Sequence, residues 1–234
     1  MNNRYLVIGG SHGIGRSLTG LLADQGHDVV VLSRNIEDLG TVARVVHHEF
    51  DVSSGQEIPE AALTESLAGL AYCVGSINLG PFRGVKPDVV AQDFALNVLG
   101  AIRLIQQAMP KLKSADQASI VLFSTVAVGQ GLPMHTAVST VKGAIEGLTR
   151  ALAAELAPKI RVNCLAPSLT DTPLASRLLS SDEKIAAMGK RHPLGRVGTA
   201  DDVASLAAHL LSDQGSWISG QVIGVDGGMS TLRV

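Results

Sequence analysis

The sequence predicts an α/β fold, a single doubly wound parallel sheet of about seven strands with helices on both faces. Three features predict it. Short runs rich in Val, Ile and Leu alternate with longer stretches of helical periodicity along the chain. The strand-like runs are almost unbroken by polar residues, as strands buried on both faces are. Parallel strands joined through helices cross over with one hand, which favours the doubly wound arrangement. A chain of 234 residues is of ordinary size for one such domain. No repeat, low-complexity tract or linker divides it, so residues 1–234 are expected to form one unit.

The elements follow in order. Tyr5–Ile8 is an apolar run that meets a glycine-rich turn and then a helical pattern over Ile14–Gln25. Val29–Leu32 and Val45–Glu49 are the next β-rich runs. In the second of these His47 and His48 point to opposite faces, which makes them a poor metal pair. Leu70–Val74 reads as the fourth strand and Val89–Lys111 as a long helix. The stretch Gln117–Val141 lacks Asp, Glu, Lys and Arg and is long enough to span a bilayer. Pro133, His135 and Gly129-Gln130-Gly131 break it instead into a strand, Ser119–Phe123, a loop, and the start of a helix, Val138–Glu155. Arg161–Leu165 and Val222–Val225 complete the strands, with a helix over Ala200–Leu211 between them.

Composition excludes several functions. A net charge of −2 and a pI near 6.4 provide no basic stripe for nucleic acid and no polybasic patch for a membrane. Four Phe, two Tyr and one Trp are too few for a surface that stacks bases or sugars. A mean hydropathy of +0.27 and 25 glycines fit close packing of helices on a sheet. Cys73 and Cys164 are too few for a disulfide framework and lack metal-ligand spacing, so they read as small buried residues with reduced thiols. The apolar run at Tyr5 leaves no room for a signal peptide ahead of it, and a cytoplasmic protein is expected.

The chemistry should begin at the first turn, Gly9-Gly10-Ser11-His12-Gly13-Ile14-Gly15. Glycines at 9, 13 and 15 allow a tight bend and bring backbone N–H groups at a helix N-terminus against a pyrophosphate. Many strand–helix turns use glycine for geometry alone, but the position directly after the first strand favours a dinucleotide. The second strand ends in Ser33-Arg34-Asn35, where an acidic residue would select the ribose hydroxyl of NAD. A hydroxyl and a guanidinium suit a 2′-phosphate instead, and His12 can add a contact, so NADP(H) is the expected cofactor. The alternative for Arg34 is a solvated surface arginine.

With these residues in view, the sequence resembles the short-chain dehydrogenase/reductase family, whose fold is of the Rossmann type, over essentially its whole length. The likeness rests on the glycine turn, Asp51-Val52, Asn97-Val98-Leu99-Gly100, Ser124-Thr125-Val126-Ala127, Lys142, and Arg161-Val162-Asn163 leading to Pro167. Near the end His192-Pro193-Leu194-Gly195-Arg196, Gly220-Gln221 and Val225-Asp226-Gly227-Gly228 add to it. The resemblance implies that Asp51 and Val52 border the adenine, that Asn97 holds a water in a proton relay, and that Lys142 binds the nicotinamide ribose. It also assigns Gly75, Pro167, Thr170 and Thr172 to the cofactor cleft, with Thr172 at the carboxamide. Assembly as a homodimer or homotetramer through Val89–Lys111 and Val138–Glu155 is implied too.

The chain departs from the family at its catalytic pair. The family's tyrosine stands four residues before the lysine, and here that position is Val138. The family's serine position is held by Thr125, with Ser124 beside it as a second hydroxyl. Cys73-Val74-Gly75 replaces Asn-Ala-Gly, and Ser168 replaces the glycine after Pro167. Valine neither gives nor takes a proton, and general acid catalysis typically contributes about 10²–10⁴ in rate. His135, three residues before Val138, has suitable chemistry for a substitute donor. The alternatives are a loop histidine bonded to backbone or facing a subunit neighbour, and a water held by Thr125, Asn97 and Lys142. The expected function is reduction of a carbonyl or activated double bond on a small-molecule substrate, under a lid over about residues 169–190 that carries Leu174, Leu178 and Leu179. The rival expectation is a catalytically silent NADPH-binding sensor or subunit partner.

Overall fold

The computed structural model of the protein describes residues 2–36, 39 and 42–233. Strands β1 (Arg4–Ile8), β2 (Asp28–Ser33), β3 (Val45–Glu49), β4 (Gly69–Tyr72), β5 (Ala118–Phe123), β6 (Ile160–Pro167) and β9 (Val222–Val225) form one sheet in the order β3-β2-β1-β4-β5-β6-β9. Every neighbouring pair is parallel. Two short strands, β7 (Thr170–Asp171) and β8 (Gly198–Thr199), pair apart from it. The order reverses between β1 and β4, and such a reversal opens a crevice outside the carboxyl ends of the strands.

Side chains along the inner strands alternate between two cores. Leu6 and Ile8 of β1 join Val30 and Leu32 of β2 in one, under helices α3 (Gly100–Ser114) and α5 (Thr136–Leu156), which contribute Leu104, Ile105, Val141 and Ile145. Tyr5 and Val7 join Val29 and Val31 in the other, under α1 (Gly13–Asp24) and α7 (Ala200–Leu211), which contribute Leu18, Leu22, Val203 and Leu210. Period-two alternation into two buried faces is why these strands read as unbroken apolar runs. The two edge strands, β3 and β9, are only partly buried, and β3 carries polar His47, His48 and Glu49.

The segment expected as one helix over Val89–Lys111 is α2 (Pro87–Phe94) and α3 joined by a π-helical turn, Ala95–Leu99. The widened turn frees carbonyls from ordinary helical partners, and side chains take them up. Asn97 Nδ2 donates to Asp93 O at 2.8 Å, and the Tyr72 hydroxyl donates to Leu96 O. Gly100 is required where the turn closes, since a Cβ there would lie 2.6 Å from the Tyr72 hydroxyl and 2.7 Å from Val52. The acid-free stretch from Gln117 divides as expected into β5, a loop with a single helical turn α4 (Ala127–Gln130), and α5. Among the described residues no helix is long and apolar enough to cross a membrane. Residues 169–190 form a cap of β7, a 3₁₀ turn at Pro173–Ala175 and helix α6 (Asp182–Gly189).

Candidate active site

The turn after β1 has the shape its glycines anticipate. Gly9 (φ +82°) and Gly13 (φ +51°) adopt conformations that L side chains rarely take. Gly15 is needed for contact, because a Cβ there would stand 2.2 Å from the Gly9 carbonyl oxygen. Thr172 packs 3.2 Å from the Cβ position of Gly13, which brings the cap over the turn. Ser11 is buried, its hydroxyl 2.8 Å from Nδ1 of the exposed His12, which stands at the N-cap position of α1. Ile14 leaves the turn to line the cavity described below.

At the end of β2 the hydroxyl of Ser33 faces inward. It donates to Asn35 O at 2.8 Å and accepts from His47 Nε2 at 2.8 Å, so it braces the strand end against β3. Arg34 and Asn35 are exposed beside it. Asp51 Oδ1 accepts from the Ser53 amide at 2.8 Å and hydroxyl at 2.6 Å, which holds its carboxyl below the usual range. Val52 follows, partly buried against Gly100.

A cavity of about 320 Å³ opens between the sheet ends and the cap. Its wall is mostly apolar, with Leu79, Leu132, Leu174 and Leu178 among the side chains that line it. Leu179 turns away into the interior at 8% exposure. Thr125, His135, Val138 and Lys142 share this wall, as do Gly75, Pro167, Thr170 and Thr172. Val138 and Lys142 are one helical turn apart on α5, which puts both side chains on one face. Both tyrosines lie elsewhere: Tyr5 and Tyr72 are buried in separate cores.

Of the two adjacent hydroxyls, Ser124 is committed to Glu146 Oε1 at 2.8 Å. Thr125 accepts from the Ala127 amide at 3.3 Å, which leaves its own hydrogen to donate. Nδ1 of His135 stands 2.7 Å from Pro133 O, and a carbonyl only accepts, so this nitrogen carries a proton and Nε2 is the one open to other partners. Lys142 donates to Phe123 O at 2.9 Å. Burial pushes its pKa down to about 8, opposed in part by Cys164, Cys73 and Asp93. Burial raises both thiols to about 12, which fits inert small residues.

Asn97 is buried in the π turn, with Nδ2 on Ser76 Oγ at 3.0 Å and on Asp93 O. Its Oδ1 is buried without a hydrogen-bond partner among the described residues. That oxygen and Lys142 Nζ each lie 3.1 Å from where a Cβ of Gly75 would be, so Gly75 keeps space open between them. Asp93, itself buried, accepts from Ser76 Oγ at 2.6 Å and from Asn78 Nδ2 at 2.9 Å, which anchors the loop after β4.

Among the cavity residues with no reading as site residues in the sequence are Arg191, His192 and Ser168. Ser168 Oγ lies 2.8 Å from His192 Nε2, and His192 Nδ1 lies 3.0 Å from Met188 O. The partners are far apart in the chain, and only the cap brings them together. Arg161 and Asn163 are structural. They bond Leu210 O and Ser212 O, and Ile218 O, and so tie β6 to the connection before β9.

A family model described as enoyl-(acyl carrier protein) reductase matches residues 9–230. A tropinone reductase homolog of Arabidopsis thaliana is 38% identical, over 96% of this chain and 91% of its own. L-xylulose reductase of Bos taurus is 32% identical over 96% and 95%. Among solved structures, aldohexose dehydrogenase of Thermoplasma acidophilum superposes with a TM-score of 0.87 at 30% identity, covering 99% of this chain and 95% of that one. A short-chain type dehydrogenase/reductase of Mycobacterium ulcerans gives 0.89 at 29% identity over 100% and 91%. Together with the glycine turn at the switch point, these matches establish that the chain belongs to the short-chain dehydrogenase/reductase family, whose members work with nicotinamide cofactors.

Proposed function

We propose that the protein is an NADP(H)-dependent oxidoreductase with a non-standard catalytic centre, acting on a small, largely apolar carbonyl compound or activated double bond. The observation that carries this reading is the apolar cavity joining the glycine turn to Thr125 and Lys142. The cradle suits the cofactor: side chains are absent where a pyrophosphate needs backbone N–H groups, and Arg34 lies exposed where a 2′-phosphate would sit. Bound NADPH would supply hydride to the substrate carbon. Thr125 donates its hydroxyl hydrogen to the carbonyl oxygen, and Lys142 holds the nicotinamide ribose. Val138 gives no proton. The donor is therefore a water between Asn97 Oδ1 and Lys142 Nζ, or His135 in its imidazolium form through Nε2, Nδ1 being committed to Pro133 O. The orphaned Asn97 oxygen supports the water, since buried carbonyl groups in folded proteins have partners.

The second reading, a catalytically silent NADPH-binding protein, draws on Val138: it is 7% exposed on the cavity wall, where no tyrosine replaces it. Assembly into a homodimer or homotetramer through α2–α3 and α5 belongs to the proposal, supported by the exposure of Phe94 and Leu99 at the π turn. A cytoplasmic location is part of it too. NADPH oxidation over a panel of carbonyls and quinones tests catalysis. Thr125→Ala is expected to lower kcat/KM about 10²-fold, the typical effect of one donor to a developing oxyanion. Turnover unchanged by both Thr125→Ala and His135→Ala would refute the centre proposed. NADPH should bind ahead of NADH, with Arg34→Ala erasing the gap; equal binding by the native protein would refute the 2′-phosphate site.

A further inference from the structure

Among the side chains that line the cavity none is acidic, while Lys142, Arg191 and the two histidines His135 and His192 all reach its wall. Lys142 donates to the Phe123 carbonyl and is assigned above to the nicotinamide ribose, and His135 Nδ1 bonds Pro133 O. Arg191 is different. It stands exposed just after α6, and among the described residues its guanidinium has one hydrogen bond, to the Met188 sulfur at 3.6 Å, and no ion pair. Beside it His192, 4% exposed, links the last turn of α6 to the end of β6 through Met188 O and Ser168 Oγ. The cavity therefore has an apolar body, a hydroxyl and ammonium at the sheet end, and an uncompensated guanidinium at the cap.

We propose that Arg191 is a substrate-specificity residue that holds a carboxylate, so that the substrate class is an apolar oxo acid. Its carbonyl would meet Thr125 while its carboxylate pairs with the guanidinium at the cap. A planar fork of N–H donors matches a carboxylate better than any other side chain does. The absence of acidic lining removes the competitor that would otherwise neutralise it. The Ser168 hydroxyl, 2.8 Å from His192 Nε2 and 3.1 Å from Met229 Sδ, has one hydrogen to give and is placed to turn it toward the same anion. The proposal rests on the reductase reading for the carbonyl end only; the anion end stands on Arg191 and the charge of the wall.

The test is calorimetric binding of 3-phenylpropanoate and of its neutral amide, neither of which can be reduced, to the full chain with and without saturating NADP⁺. The two conditions separate an anion held at the glycine turn from one held at the cap. The acid is expected to bind at least about tenfold more tightly than the amide, the usual worth of a charge-assisted hydrogen bond. Arg191→Gln should remove that advantage and leave the amide unchanged, and Arg191→Lys should restore part of it, since the charge returns without the fork. Equal binding of acid and amide, or a loss in both on Arg191→Gln, overturns the proposal. Melting temperatures of the variants show whether the fold is intact. Retained acid binding with no turnover of any aryl oxo acid overturns the reductase reading and leaves the anion site standing. Turnover of neutral carbonyls with no preference for the acid does the reverse.

Discussion

Replacing Lys142 with Met should make the protein more stable at neutral pH while abolishing its proposed activity. Burial lowers the Lys142 pKa from 10.5 to about 8. At about 1.36 kcal/mol per unit, holding the ammonium in the site at pH 7 costs about 3 kcal/mol. The lysine repays about 1 kcal/mol of this through its hydrogen bond to Phe123 O. Methionine has similar length and no charge, so Lys142→Met should gain about 2 kcal/mol. The gain must fade with pH in a defined direction. Below about 8 the lysine is charged in both folded and unfolded chains. Between about 8 and 10.5 the folded protein releases the proton first, so the unfolded state binds more protons and native stability rises with pH. Buried thiols and tyrosines with raised pKa values pull the other way in both proteins. The readout is therefore the difference between variant and native protein, from urea unfolding at a series of pH values. A difference that stays constant across this window, or a variant less stable at neutral pH, would refute the reasoning.

Gly15→Ala forces a Cβ against the Gly9 carbonyl and should cost about 1–3 kcal/mol or more, with loss of cofactor binding; an unchanged urea midpoint would show that the turn relaxes freely. Asp202→Asn should destabilise α7 by about 1 kcal/mol, because Asp202 completes the capping box with Thr199. The hydrogen bond from Arg196, with those from Thr199, holds the Asp202 carboxyl well below its ordinary range. Its contribution is complete above the ordinary carboxylate pKa and lost as pH falls through the depressed one. The variant's deficit should therefore shrink in strong acid, which chemical unfolding at low pH would detect.

Much of this was legible in the sequence because it follows from local rules. Strands buried on both faces appear as apolar runs, and the glycine turn marks the crevice because backbone conformation and close contact leave no other residue room. Lys142 and Val138 are four apart on one helix, so their shared face needed no coordinates. The π turn at Ala95–Leu99 was hidden, since an apolar stretch with one extra residue in a turn looks like continuous helix. Ser33 shows another limit. A hydroxyl at the right place in the chain can face either way, and here His47 from the neighbouring strand claims it. Arg191, His192 and Ser168 belong to separate segments, and their convergence depends on how the cap folds back over β6.

The π turn also sets the phase of everything that follows it. Each residue of an α-helix advances the side chains by about 100°. Deleting one residue from Ala95–Leu99 would rotate the fifteen-residue α3 by that angle against the sheet and swing Leu104, Ile105, Ala108 and Leu112 out of their core. The widened turn thus works as a clutch, setting Asn97 and the hydrophobic face of α3 at fixed angles to one another. Tyr72, through its hydroxyl on Leu96 O, is the pin that keeps the two engaged.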